Sequence, residues 1–205
     1  MTAKASVFIR TAAALACAAA VGIAGAASPG TAAADFTIAD ATGKPVKLSE
    51  YRGKFVVLEW TNPDCPFVRK HYSSKNMQDL QKEWGAKDVV WLSVNSTRQG
   101  HYEYRDGKQM QEWMTSQGAA QKAILIDATS ATGRAYDAKT TPHMFVIDPA
   151  GKIVYAGAID DKRSARESDR KIANNYVRAA LSEALAGKPV SVANTTPYGC
   201  SVKYD

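Results

Sequence analysis

The stretch FVVLEWTNPDCPF, residues 55–67, decides the fold. Residues 55–60 form a short apolar run, which is typical of a strand that is covered on both faces. Pro66 suits the first position of a helix, because the N–H that proline lacks would be unpaired there. We therefore predict a buried strand, a short loop and a helix with Cys65 at its N-terminus. Free backbone N–H groups and the positive potential of Arg69 favour an anion at that place, so a reactive thiolate is preferred to an inert buried thiol.

Strand and helix patterns alternate on either side of this segment, which predicts an α/β sheet. The Pro and Gly in residues 148–151 predict a turn, so the two strands beside it form a hairpin. The other predicted elements are strands over 36–39, 89–94, 123–126, 143–147 and 153–158, and helices over 66–84 (kinked near 73–74), 102–117, 133–136 and 167–186, with an irregular tail after them.

The first 34 residues have the pattern of an export signal. Lys4 and Arg10 precede an apolar run, and small residues follow it up to Ala34. This order of a basic region, an apolar region and an Ala-x-Ala site predicts a signal peptide over 1–34 and one domain over 35–205. A retained membrane anchor is the alternative. We expect a secreted or periplasmic protein whose only link to a membrane is this signal.

The charge of the chain is mildly basic, at +6, and it falls to +4 when Lys4 and Arg10 are removed. A charge of this size favours solubility. Basic and aromatic residues are not interleaved along any stripe, so nucleic acid is not an expected partner. Beyond the signal, the chain has only Cys65 and Cys200. Two cysteines are too few for a disulfide scaffold or a four-cysteine zinc site, but they can pair in an exported protein.

Five short motifs together resemble the thioredoxin-like redoxin superfamily, which includes the alkyl hydroperoxide reductase and thiol-specific antioxidant proteins. They are Tyr51-Arg52-Gly53-Lys54, Cys65-Pro66-Phe67-Val68, Thr141-Pro142, Asp148-Pro149-Ala150-Gly151 and Gly199-Cys200-Ser201-Val202-Lys203-Tyr204. The cysteine motif, taken with Lys70, and the C-terminal motif resemble one peroxiredoxin-like subgroup in particular. The resemblance implies a thioredoxin-like fold, in which helices flank a central mixed β-sheet, with an N-terminal β-extension and a C-terminal tail. It also implies a cis bond before Pro142, and a substrate-binding loop at Thr141 and Pro142 that faces Cys65.

The chain departs from these relatives at the thiol site. Asn62 and Val68 stand where a Cys-x-x-Cys pair would place a second cysteine next to Cys65. Typical peroxiredoxins have Thr or Ser where this chain has Asn62, and Thr61 is one position away. No arginine adjoins Pro142. A local dithiol is therefore absent, and the usual peroxidase triad is incomplete.

Cys200 is the candidate for the missing partner of Cys65. We predict a thiol oxidoreductase in which Cys65 attacks a protein disulfide or a peroxide and Cys200 resolves the product. An unidentified thiol would supply electrons, and no cofactor or metal is required. Asn62, Pro66 and Arg69 would support the site. Glu59 could relay a proton, although a carboxylate at a strand end is more often solvated or salt-bridged.

A non-enzymatic protein on the same fold is the alternative. Cys65 and Cys200 would then form a permanent disulfide between tail and core, or the thiols would bind copper together with histidines. Copper(I) favours thiolate and imidazole ligands. The three histidines, His71, His101 and His143, have no short ligand spacing, and this makes surface or core positions the more common expectation for them.

Overall fold

The computed structural model describes residues 27–204, so the predicted signal peptide lies largely outside the described residues. The strands are β1 (Thr37–Ala39), β2 (Pro45–Lys47), β3 (Val56–Trp60), β4 (Val90–Asn95), β5 (Ala123–Ile126), β6 (Thr140–Thr141), β7 (His143–Ile147), β8 (Ile153–Gly157) and β9 (Cys200–Ser201). The α-helices are α1 (Pro66–Ser73), α2 (Asn76–Gly85), α3 (Gly107–Gln117), α4 (Ala131–Ala135) and α5 (Tyr176–Leu185). Short 3-10 helices span Leu48–Tyr51 and Glu167–Ile172. Within the described part, no helix is long and apolar enough to cross a bilayer.

A five-stranded mixed sheet forms the centre of the molecule, in the order β5-β4-β3-β7-β8. Strand β3 runs parallel to β4 and antiparallel to β7, and β8 is antiparallel to β7. Every residue of β3, β4 and β7 is buried, because both faces of the sheet are covered. This is the predicted thioredoxin-like α/β architecture, with the strand before Cys65 at the middle of the sheet.

Each face of the sheet has its own apolar core. Val57 belongs to a core that α1, α2, α3 and α5 cover. Its neighbour Leu58 points to the other face, where it joins a core with Phe36, Ile38 and Tyr136. The alternation of side chains along a strand explains this division. The hairpin of β1 and β2, which the sequence indicated only in part, therefore completes the second face of the sheet.

The predicted first helix is two helices. Helix α1 ends at Ser73, and Lys75 adopts a left-handed conformation with a φ of 63° before α2 begins. A non-glycine residue in this region turns the chain without continuing the helix. The predicted kink near residues 73–74 is therefore confirmed as a break.

Two other predicted helices are shorter than expected. The prediction over 102–117 was wrong for its first five residues, because α3 begins after Asp106. The prediction over 167–186 was wrong in its first half, where a 3-10 helix ends at Ile172 and α5 begins after Asn175. Ile172 has the helical spacing of the apolar residues in 167–186, which predicts a buried position, but it is 70% exposed. In both cases an Asx N-cap fixes the true start of the helix, since its side chain accepts an N–H of the first turn.

Both ends of the described chain join the domain by backbone pairing. Gly30 N–H donates to the Ile153 carbonyl at 2.8 Å, Ile153 N–H donates to Thr31 at 2.9 Å, and Ala33 N–H donates to Gly151 at 2.9 Å. Residues 30–33 therefore extend the sheet beyond β8. The tail, predicted as irregular, forms β9 and pairs antiparallel with β6, which precedes Pro142.

Candidate thiol site

Cys65 lies where the sequence places it, as the N-cap of α1 with Pro66 in the first turn. Its side chain is only 1% exposed, and its Sγ donates a hydrogen bond to the Thr141 carbonyl oxygen at 2.9 Å. The Thr141–Pro142 peptide bond is cis, as the resemblance implies. Strand β3 and helix α1 thus hold the thiol against the loop that contains Pro142.

Cys200 reaches the same loop from the C-terminal tail. It is the register partner of Thr141 in the pairing of β9 with β6. Burial, together with the hydrogen bond that the Cys200 thiol makes with Cys65, raises the pKa of Cys200 to about 12. Both cysteines are free thiols in this structure. The fold therefore brings together two cysteines that lie more than a hundred residues apart in the sequence.

The loop before Cys65 is ordered by Asn62. Its side-chain oxygen accepts the Asp64 N–H at 2.8 Å, and its amide donates to Glu103 at 2.7 Å. Thr61, by contrast, has a buried hydroxyl that makes no hydrogen bond within the described structure. Asn62 therefore orders the loop that leads to Cys65.

The hydrogen bond and the ion pair of Arg69 are formed with this loop and not with the Cys65 thiol. Its Nε donates to the Pro63 carbonyl at 2.7 Å, and its guanidinium lies 3.4 Å from Asp64. Arg105, which the sequence did not single out, donates to the other oxygen of Asp64 at 2.6 Å. The positive charges near the helix start are therefore balanced in part by Asp64.

Glu59 is fully buried, contrary to the expectation for a strand-end carboxylate. It accepts hydrogen bonds from Tyr72 at 2.8 Å, Trp91 at 2.8 Å and Ser93 at 3.1 Å. Burial raises the pKa of Glu59 to about 7, although these hydrogen bonds act in the opposite direction. The group can therefore gain or lose a proton near neutral pH inside the helix-covered core.

A second buried polar cluster, which sequence reasoning missed, anchors the tail. The Tyr198 hydroxyl donates to Asp160, and it lies 3.2 Å from His71 Nε2 and 3.5 Å from Lys70 Nζ. Lys70 also donates to the Lys162 carbonyl at 2.7 Å. Burial lowers the pKa values of Lys70 and His71 and raises that of Asp160. Tyr198 stands two residues before Cys200, so this cluster fixes the tail next to the thiols.

The histidines have structural partners. His71 Nδ1 lies 2.9 Å from the Asn76 amide nitrogen, and His143 Nδ1 accepts the Lys139 N–H at 3.2 Å. His101 Nδ1 accepts the Glu103 N–H at 3.1 Å. Among residues 27–204, no group of three or more His, Cys, Asp or Glu side chains is placed to hold a metal ion. Each of the three histidines is thus held by a bond within the fold.

Several known proteins are similar to this chain. It is 26% identical over 127 residues to the thiol-disulfide oxidoreductase ResA of Bacillus subtilis, an alignment that covers 62% of this chain and 65% of ResA. The chain thus spans slightly under two thirds of that relative.

Solved structures are similar over a longer stretch. An uncharacterized conserved protein from Geobacillus kaustophilus matches with a TM-score of 0.76 and 26% identity, over 87% of this chain and 93% of that one. A putative thiol:disulfide interchange protein DsbE from Chlorobium tepidum matches with a TM-score of 0.52 and 26% identity, over 63% of this chain and 84% of that one. Residues 29–156 match the model of the AhpC/TSA family, and the chain belongs to this family.

Proposed function

We propose that this protein is an exported thiol oxidoreductase that cycles between the free thiols of Cys65 and Cys200 and a disulfide between them. The observation that carries the proposal is the shared position of the two cysteines at the Pro142 loop. Cys65 donates to the Thr141 carbonyl, and Cys200 is paired with the same residue. The names of two similar proteins, ResA and DsbE, describe thiol–disulfide chemistry, which supports the same proposal.

The reaction has two nucleophilic steps. The Cys65 thiolate attacks one sulfur of a substrate disulfide, so a mixed disulfide forms and the other substrate sulfur leaves as a thiolate. The Cys200 sulfur, as it gives up its proton, then attacks Cys65, and the second substrate sulfur leaves. The substrate gains two electrons, and the protein keeps a Cys65–Cys200 disulfide.

A hydroperoxide can replace the substrate disulfide. Cys65 attacks the outer oxygen, the O–O bond breaks, and an alcohol or water leaves while Cys65 becomes a sulfenic acid. Cys200 then forms the disulfide, and water leaves. In either case two external thiols then reduce the Cys65–Cys200 disulfide. They become a disulfide themselves, and the two thiols of the protein are restored.

Mass spectrometry of the full chain tests the proposal. In a Cys17→Ser background, limited hydrogen peroxide or glutathione disulfide should remove two hydrogen atoms and leave one peptide pair linked through Cys65 and Cys200. The Cys200→Ser variant should stop at a sulfenic acid or at a mixed disulfide with glutathione. The Cys65→Ser variant should not react at the wild-type rate. Equal rates for wild type and Cys65→Ser would contradict the role of Cys65.

A permanent disulfide between tail and core is the structural alternative. The tail is already held without it, by the pairing of β9 and by the Tyr198 anchor. We therefore expect a redox-active pair with a reduction potential above about −300 mV, because structural disulfides usually lie below that value. Equilibration with dithiothreitol buffers measures the potential, and a value well below this limit would favour the structural role.

A further inference from the structure

Strand β6 has a backbone edge that its own tail occupies. Residues with unpaired N–H and C=O groups at a sheet edge are able to pair with an added strand, and many proteins bind extended peptides in this way. At Thr140 and Thr141 the partner strand is β9, in the register Thr140 with Ser201 and Thr141 with Cys200. The residue beside the cis-proline is therefore paired with the cysteine that also faces Cys65.

Close packing at Gly199 fits the tail to this edge. Gly199 has a φ of 140°, and a Cβ built on it would lie 2.0 Å from the Thr141 carbonyl oxygen. Real Cβ atoms do not approach an oxygen so closely, so a side chain at this position would force the tail away from Thr141. The contact shows that β9 lies directly on the carbonyl that accepts the Cys65 thiol.

The tail is also fastened along the whole of residues 198–204, which we name the strap. The Val202 N–H donates to the Lys139 carbonyl at 3.1 Å, and the Lys203 carbonyl accepts the Arg98 N–H at 2.9 Å. The Tyr204 hydroxyl donates to the Ala138 carbonyl at 2.6 Å. With Tyr198 in its buried cluster, the strap is held at both ends and in the middle. The strap is therefore a fixed, hydrogen-bonded part of the fold.

We propose that the strap determines which substrates Cys65 can use. By filling the edge at Thr140 and Thr141, it excludes extended protein segments from the place where they would pair beside Cys65. Hydroperoxides and small disulfides, which need no strand pairing, remain as the substrate class. This inference rests on the proposed function, since it assumes that Cys65 is the reacting thiol. Cys200 is then the first partner of oxidised Cys65, because the pairing of β9 with β6 holds Cys200 opposite Thr141, beside Cys65.

Two probes with the same leaving group test the proposal on the full chain. One is the thiopyridyl disulfide of 2-mercaptoethanol, and the other is the thiopyridyl disulfide of an extended octapeptide with a central cysteine. The background is Cys17→Ser with Cys200→Ser, so that only Cys65 releases the coloured thiopyridone. Gly199→Ala moves the strap. Gly187→Ala is the matched control, since Gly187 also has a positive φ but nothing lies near its built Cβ.

The parent and the Gly187→Ala control should react with the peptide probe about tenfold more slowly than with the small probe, after each rate is divided by that of free cysteine. Gly199→Ala should raise the peptide rate by about tenfold and change the small-probe rate by less than about threefold. A peptide rate that is the same in the parent and in Gly199→Ala would overturn the role of the strap.

Each remaining outcome also decides a question. Failure of the small probe to react with any variant contradicts the proposed function, and the inference about the strap falls with it. Circular dichroism shows whether Gly199→Ala folds. If it does not fold, the parent alone is sufficient: a ratio of small-probe to peptide rates equal to that of free cysteine overturns the proposal, and a ratio about tenfold higher supports it.

Discussion

Glu59 links the charge of one buried residue to the stability of the protein. Its pKa in the folded state is about 7, because burial disfavours the carboxylate. In the unfolded chain the same group titrates near its ordinary value of 4.5. Between these two values the folded state binds more protons, so the Glu59 contribution to the free energy of unfolding falls as the pH rises.

We predict that Glu59→Gln removes this dependence. The free energy of unfolding of wild type, relative to that of the variant, should fall by about 3 kcal/mol between pH 4.5 and pH 7.5. Urea unfolding at several pH values measures the difference, and the exposed Glu50→Gln serves as the control. The comparison with the variant is needed because burial lowers the pKa values of His71 and His143 to about 3 and about 4. Their contribution to the free energy of unfolding rises with pH, but it is the same in wild type and in Glu59→Gln. Parallel curves for wild type and Glu59→Gln would contradict the prediction.

At this site, the sequence predicts the position of Cys65 but not the surroundings of Glu59 or Tyr198. Cys65 could be placed at a helix start because Pro66 and the preceding apolar run are adjacent to it in the sequence. The burial of Glu59 could not be predicted, since Trp91 and Ser93 come from a neighbouring strand and Tyr72 comes from a helix. The Tyr198 cluster was missed for the same reason: its members share no local pattern and meet only when the tail folds back.

At the scale of elements, the start of α3 depends on one side chain. The Asp106 carboxylate accepts the Gln109 N–H at 2.8 Å, and the Gln109 side chain accepts the Asp106 N–H at 3.0 Å. This capping box explains why the helix begins at Gly107, although the composition from residue 102 onward is compatible with a helix.

We predict that Asp106→Ala lowers the free energy of unfolding by about 1 kcal/mol, since the first turn of α3 loses its cap. Guanidinium denaturation measures this loss. Glu112→Ala, in the same helix, replaces a side chain that is 65% exposed and should change the free energy by less than about 0.5 kcal/mol. Equal losses in the two variants would show that the cap has no special role.

Elements with a strong local pattern were predicted well, and those that depend on distant pairing were not. The apolar run of β3 and the turn between β7 and β8 carry their own signals in sequence. Strands β6 and β9 have two residues each, which is too short for a period of two to be read. The exposure of Ile172 shows the converse case, in which an apolar residue in register with a helix lies outside it.

The molecule as a whole begins its sheet earlier than the predicted domain boundary. Residues 30–33 pair beyond β8, Ala33 is buried, and the Ala34 carbonyl accepts the Tyr136 hydroxyl at 2.8 Å. Cleavage after Ala34, as the signal pattern predicts, would remove these contacts. We therefore propose that processing leaves residues 28–34 on the exported protein, which N-terminal sequencing of that protein tests. A first residue of Asp35 would contradict this proposal.

Three recombinant chains measure what this segment contributes. A chain that begins at Asp35 should have a free energy of unfolding about 3 kcal/mol lower than one that begins at Ala27, because it lacks three backbone hydrogen bonds and the bond to Tyr136. A chain that begins at Ser28 keeps all four bonds and is the control. Equal urea midpoints for the chains that begin at Ala27 and Asp35 would show that the segment does not stabilise the domain.

The place of Cys200 in the chain sets an order of events during synthesis. A polypeptide is synthesised from its N-terminus, so Cys65, the central strands and Pro142 are all made before Cys200. Until the last residues are made, Cys65 lacks Cys200 as a partner, and the edge of β6 is open to other chains. A nascent chain is therefore most able to form non-native disulfides in that interval. Pairing of its final strand, β9, is the step that restricts Cys65 to its own partner.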